Sequence, residues 1–417
     1  MSWVGVAFAF VVFAVCFASK ADVNAPAWPY FRQNVRQTNF CPNSQILPFR
    51  AADNDPIEIN ANLTVRPKMA LRNDAGIVVG QNGFIYGIDV EGIDAPGRGI
   101  VVINLNGVVW RSIRCNASFS SADFMTLSLV TDTVLVAYTN SGYSCGVSTD
   151  AYGNLTPLWS VFSSPAPSTI LAPSRTSRHA LTYTIESSNA STVLFGSMGL
   201  RFGNISWAYG FTLNELVFPY PPAAAYNAIY LSWDAPQSSL VRYDFAGSSV
   251  RIRRNISCIS SPMIDPDGNV YVLGSTPSPW SSSITDYWLY KFDSYLINLL
   301  WQTALPSSEG ETLTGTLSFD EAHGFVVVSG WGAISQFTKN GTLYWWIPLL
   351  TSTSPAVLID EEGDYFYQDG SYTCAARWNK GKCQAYVSDP PVFPSFFLTK
   401  NKTAYHIHRM TTRASLN

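Results

Sequence analysis

The chain has 417 residues, of which 47% are hydrophobic and 13% charged, with a formal net charge of −3. Globular domains carry about 25% charged residues, so apolar surface for a large core is ample here. The weak, dispersed charge excludes a nucleic-acid binder built on basic patches, since Arg251-Ile-Arg-Arg254 is the one cationic cluster.

Residues 1–21 read as a secretory signal peptide. The apolar run 4–17 is short for a membrane span and is followed by the small residues Ala18, Ser19 and Ala21. The Met1 α-amine supplies the positive charge of the run's N-terminal side, which leaves a short signal anchor as the alternative. No later stretch holds an uninterrupted apolar run of about 18 residues, so no stable membrane insertion is expected after cleavage. The expected location is extracellular or the lumen of the secretory pathway.

Residues 22–56 form an N-terminal lead-in containing Trp28-Pro-Tyr-Phe-Arg and Thr38, and residues 57–417 read as one repeat domain. The clearest unit runs over 261–301. It holds Asp265-Pro-Asp-Gly-Asn-Val-Tyr-Val-Leu-Gly, then Tyr287-Trp-Leu-Tyr-Lys-Phe-Asp, then Leu296-Ile-Asn-Leu-Leu-Trp. Each piece is a β-branched and aromatic run beside a turn, the pattern of successive antiparallel strands. Strand-ending aromatics recur at Trp110, Trp159, Phe218, Trp301, Trp345 and Tyr386, and Tyr243-Asp-Phe-Ala-Gly supplies a unit in the widest gap. A spacing that averages about 46 residues is the signature of an all-β propeller of four-stranded antiparallel blades.

The lead-in and the repeated Ser-Pro…Gly-x-Val-Tyr-Val…Trp units resemble the pyrroloquinoline-quinone-like (PQQ-like) β-propeller superfamily, with Asn39 where its members usually have Gly. The resemblance implies eight blades, with seven as the alternative. Residues 394–408 read as two strands of an incomplete last unit, which an N-terminal strand within 57–65 completes to close the ring. For an active member the resemblance would further imply pyrroloquinoline quinone over a tryptophan floor, with a calcium ion, an Asp base and, in the alcohol dehydrogenases, a pair of adjacent cysteines. No two cysteines are adjacent here, and no motif places calcium ligands, so no catalytic, cofactor-binding or metal residue is assigned.

Beyond Cys16 in the signal there are six cysteines, enough for three disulfides in an exported chain. Cys374 and Cys383 flank a hairpin-like turn and pair first. Cys115 with Cys145 would tie neighbouring units, and Cys41 with Cys258 follows by elimination; the alternative is that some of the six are buried thiols. Eight Asn-x-Ser/Thr sequons, at Asn62, Asn116, Asn154, Asn189, Asn204, Asn255, Asn340 and Asn401, are glycosylation candidates in a eukaryotic secretory pathway. Asn154, with Pro157 close behind, and Asn340, in a tight turn, are the weaker acceptors.

Other constellations read as structure. Asp265-Pro-Asp267-Gly-Asn269 lacks the Gly and Glu spacing of a calcium loop and reads as turn chemistry. The triplet Asp360-Glu-Glu362 falls at the equivalent hairpin. His406 and His408 share a strand face without a third metal ligand nearby. Trp207, Trp233, Trp280 and Trp331 lie outside the strand-ending series and are candidate surface aromatics that stack on sugars or anchor a peptide, against a bland alternative of packing between blades. The expected function is a secreted, disulfide-bonded, N-glycosylated scaffold that binds a protein or a glycan without catalysis and without a cofactor. The alternative is a divergent quinone-dependent oxidoreductase using pyrroloquinoline quinone with calcium.

Overall fold

Short runs rich in Val, Ile, Tyr and Phe, cut by Gly, Asp and Asn, favour extended backbone with tight reversals. A computed structural model of the chain describes residues 62–63, 78–79, 84–89, 99–103, 109–114, 125–131, 133–167, 169–171, 179–187, 191–213, 220–225, 228–233, 240–244, 249–253, 256–277, 285–306, 315–330, 332–349, 357–359, 363–369, 372–377, 396–398 and 404–407. Every regular element among them is a strand, and no helix there is long and apolar enough to cross a membrane.

Seven sheets follow one another along the chain, with strands between residues 78 and 114, 125 and 162, 169 and 213, 223 and 253, 257 and 304, 316 and 348, and 358 and 377. The first through seventh sheets are named here in that order. Within each, all strand pairs are antiparallel, and apart from the split first strand of the fifth sheet each strand pairs with the next in sequence. An eighth sheet joins Phe396–Leu398 to Ala404–Ile407, and the latter pairs in parallel with Asn62–Leu63, in the register Asn62↔His406 and Leu63↔Ile407.

The cores lie between sheets. Val78, Tyr86 and Ile100 of the first sheet pack with Leu127, Leu135 and Cys145 of the second. Val136 and Tyr138 of the second meet Ile170 and Met198 of the third. Phe195 of the third meets Trp233 and Tyr243 of the fourth, with the Phe195 and Tyr243 rings stacked at 4.4 Å. The same alternation continues through Tyr230 with Phe292, Tyr271 with Phe319, and Ile334 with Tyr365. Each of the second to sixth sheets therefore buries both faces, one against the sheet before it and one against the sheet after. Opposite faces of a strand point opposite ways, so Val270 and Val272 serve one neighbour while Tyr271 and Leu273 serve the other. Face-to-face stacking of consecutive antiparallel sheets is the architecture of a β-propeller.

A recurrent tryptophan fastens these interfaces. In the last strand of the second, third, fifth and sixth sheets, Trp159, Trp207, Trp301 and Trp345 pair with Gly146, Gly196, Lys291 and Gln336, each beside a break in register. Such a bulge re-aims a side chain. Trp159 Nε1 donates to the Leu200 carbonyl of the next sheet at 2.8 Å, and Trp301 Nε1 donates to the Lys339 carbonyl at 2.9 Å. Both rings lie on left-handed glycines of the next sheet's last turn, Gly203 (φ 73°) and Gly341 (φ 84°), where a Cβ would collide with the indole. Trp207 is thus the third sheet's member of the strand-ending series, a place the sequence reading gave to Phe218, which lies outside the described residues. The mismatch arises because the third sheet's last strand ends at Leu213.

The fifth sheet departs from a plain four-strand unit. Its innermost strand is split into Ser257–Cys258 and Met263–Ile264, both paired with Val270–Pro277. At the break the Ser260 hydroxyl accepts from Leu273 N at 2.9 Å, replacing a carbonyl where Pro262 interrupts the ladder. In the seventh sheet three strands are described, and the expected fourth, toward Tyr386, lies outside the described residues.

Candidate functional site

Two groups of polar side chains sit where consecutive sheets meet, at the end that carries the first-to-second-strand turns. Between the fifth and sixth sheets, Asp265 is fully buried and its carboxylate accepts from Asn269 N at 2.8 Å, Asn269 Nδ2 at 2.9 Å and Tyr271 Oη at 3.0 Å. Lys291 reaches the same carboxylate at 3.7 Å, donates to the Lys339 carbonyl at 3.4 Å and lies 5.1 Å from the Tyr271 ring centre. Burial lowers the Lys291 pKa, with Asp265 opposing the shift, and burial raises that of Tyr271, reinforced by the Asp265 charge. The Asp265 to Asn269 segment is therefore a turn, as read from the sequence, and it also anchors the adjoining sheet.

Between the sixth and seventh sheets, Asp320 is likewise buried. One oxygen accepts from Ala322 N and His323 N, both at 3.0 Å, and the other meets Tyr365 Oη and His323 Nδ1, both at 3.1 Å. Gln336 Nε2 donates to Tyr365 Oη at 2.6 Å. An Asp–His pair invites a general-base reading, but this carboxylate is sealed from solvent and occupied by four donors that hold a turn and the neighbouring sheet. Both groups are fasteners. Among the described residues no three His, Cys, Asp or Glu side chains gather to hold a metal.

The outer rim is different in character. The last strands of the fifth and sixth sheets, Leu299–Ala304 and Leu343–Pro348, are edge strands without a charged residue. With the turn before the first of them they expose Tyr295, Ile297, Leu299, Leu300, Leu343, Tyr344 and Trp346, each at 40% or more. The last strands of the first and fourth sheets each carry two arginines, and the exposed positions of the third sheet's last strand include Ser206, Gly210 and Thr212, whereas the second sheet's last strand, Leu155–Phe162, is also uncharged and exposes Leu158 and Phe162. Edge strands are normally guarded by charge or polarity, and this edge is guarded by neither. Sequence reasoning missed these residues because strand alternation shows which positions share a face without showing that the face lacks a covering sheet. Their freedom from charge was the available signal.

The other sequence candidates are distributed as follows. Trp233 is completely buried in the core shared by the third and fourth sheets, which corrects its reading as a surface aromatic: it directly follows the fourth sheet's second strand, Ala228–Ser232, and the third sheet covers it. Trp207 is half-buried. Trp280 and Trp331 lie outside the described residues, as do Asp360 to Glu362 and His408. His406 has only its backbone register defined. Cys145 is disulfide-bonded and buried, while Cys115, Cys41 and Cys383 lie outside the described residues. Cys374 sits on the strand Tyr372–Arg377. Cys258 is a fully buried thiol, which corrects its assignment to a Cys41–Cys258 bridge. Asn204 and Asn340 are exposed, Asn154 is half-buried with its amide donating to Asp150, and Asn62 lies on the strand paired with Ala404–Ile407. Asn116, Asn189, Asn255 and Asn401 lie outside the described residues.

No family model matches the sequence, and no curated protein matches it. Among solved structures, Sqt1 of Saccharomyces cerevisiae superposes with a TM-score of 0.58 at 8% identity, over 85% of this chain and 100% of that one. The Dos1 propeller superposes with a TM-score of 0.50 at 12% identity, over 73% of this chain and 80% of that one. At such identities the likeness concerns the fold alone, and with the stacked sheets it makes this chain a β-propeller.

Proposed function

We propose that the chain is a secreted, disulfide-bonded, N-glycosylated propeller of the PQQ-like type that binds a protein partner without catalysis. The observation that carries this reading is the uncharged, solvent-exposed edge of the fifth and sixth sheets. It offers strand edges with no described strand beyond them, together with aliphatic and aromatic side chains, the chemistry that receives an extended apolar segment of another protein as an added strand. The eight sheets are read as eight blades, and the parallel pairing of Asn62–Leu63 with Ala404–Ile407 supports closure of the last blade by an N-terminal strand. Cys115 is the proposed partner of Cys145, since it follows directly on Val109–Arg114, whose sheet shares a core with Cys145. The fully engaged acids at the sheet interfaces favour a scaffold over a quinone-dependent enzyme.

The test is affinity purification from secreting cells with Leu300→Lys and Tyr344→Lys, each burying a charge in the proposed interface. Wild type and a control carrying Thr133→Lys on a remote turn are expected to recover the same partner, and both edge variants to lose at least about tenfold of it, the equivalent of 1.4 kcal/mol. Undiminished recovery by the edge variants would overturn the assignment of this surface.

A further inference from the structure

The two most exposed large hydrophobic side chains among the described residues are Tyr152, at 76%, and Phe202, at 63%. Each stands two residues before a sequon asparagine, in Tyr152-Gly153-Asn154-Leu-Thr156 and Phe202-Gly203-Asn204-Ile-Ser206. The two motifs occupy the same place in the fold, the last turn of the second and third sheets. Both glycines are left-handed, at φ 72° and 73°. In both turns the asparagine carbonyl closes the loop, accepting from Asp150 N at 3.2 Å and from Gly199 N at 2.9 Å. One face of Phe202 is covered by the Arg201 guanidinium, 5.0 Å from the ring centre.

A large aromatic ring left exposed at a turn tip gains little from burial within the folded chain. The arrangement is accounted for if something else covers the ring. Resting on the reading of the chain as a glycoprotein, we propose that Asn204 and Asn154 carry N-linked glycans whose first N-acetylglucosamine packs its apolar face on Phe202 and Tyr152 respectively. A pyranose presents axial C–H groups on one face, and an electron-rich ring is their natural partner. The left-handed glycine reverses the chain between ring and asparagine, which brings the attached sugar back over the aromatic side chain. Glycosylation leaves the asparagine amide one N–H, so Asn154 keeps its bond to Asp150. Asn340 has Thr338 two residues before it and lacks such a platform.

The test is a thermal double-mutant cycle on protein secreted from eukaryotic cells behind a heterologous leader, with site occupancy read by glycopeptide mass spectrometry. Phe202→Ala and Asn204→Gln are each expected to lower the melting temperature by roughly 1–2 °C, with the double variant no lower than either alone. Phe202→Tyr keeps the wild-type value. In bacterially made protein, which carries no glycan, Phe202→Ala has no effect; Tyr152 and Asn154 behave as a second such pair. Additive losses, the same Phe202→Ala loss in bacterial protein, or unoccupied Asn204 behind the heterologous leader would overturn the proposal. Occupancy and coupling behind the heterologous leader, with no glycan when residues 1–21 lead the chain, would uphold the sugar–ring pairing and refute the secretory reading.

Discussion

Substitution of Gly203 by alanine isolates the tryptophan seat that joins the second and third sheets. Two costs arise. At φ 73° an alanine pays about 1–2 kcal/mol for left-handed backbone. The new Cβ also overlaps the Trp159 ring, so the indole leaves its seat and its 2.8 Å bond to the Leu200 carbonyl is lost, for about 1 kcal/mol more before any packing loss. The total expected is about 3 kcal/mol. Gly324→Ala is the control, because its φ of 76° carries the same strain while its Cβ would meet only the flexible Lys339 side chain, at 3.0 Å. It should cost about 1–2 kcal/mol. Urea unfolding monitored by tryptophan fluorescence measures both. Equal losses for the two variants, within about 0.5 kcal/mol, would refute the seat as a source of stability.

Other consequences follow from the buried polar groups. Asp320→Ala strands the Tyr365 hydroxyl and two backbone N–H donors in the interface between the sixth and seventh sheets and should cost about 3 kcal/mol or more, read by urea unfolding. Burial pushes the Tyr290 phenol up to about 12, and the Tyr271 and Tyr365 phenols are also raised. A raised folded-state pKa means that the unfolded chain releases protons first as pH climbs, so stability present below about pH 10 is lost above it, by up to about 1.4 kcal/mol per pH unit for each such tyrosine. The lowered Lys291 pKa acts in the opposite sense over the range below the ordinary lysine value. Tyr290→Phe should therefore flatten the alkaline limb of an unfolding-versus-pH curve. Cys258, at 0% exposure, should resist iodoacetamide in the native protein and react fully in urea, as peptide mass mapping would show.

Much of the fold could be read in the sequence because propeller packing writes a local code. Asp265-x-x-Gly268 and Asp320-x-x-x-Gly324 each encode a reversal, and the strand-ending tryptophans Trp159 and Trp301 each supply a bond to the next sheet. Trp207 and Trp233 show where this code runs out. One is a half-buried ring on a last strand and the other a core ring, and the difference depends on which sheet lies opposite, information carried by residues far away in sequence. The exposed rim had the same weakness, since Tyr344 and Trp346 look like core residues until the sheet order shows that no described strand lies beyond them. The acids Asp265 and Asp320 were read from the sequence as turn formers or passed over, because their contacts with Lys291 and Tyr365 span gaps in sequence that no local pattern reveals.

The most direct test of the secreted glycoprotein is to express the full chain from Met1 in eukaryotic cells, collect the medium, determine the first residue and treat the product with peptide-N-glycosidase. The expected product begins at Asp22, is found in the medium and loses mass on glycosidase treatment. A chain that keeps residues 1–21, stays in the cytosol and shows no mass change would contradict it.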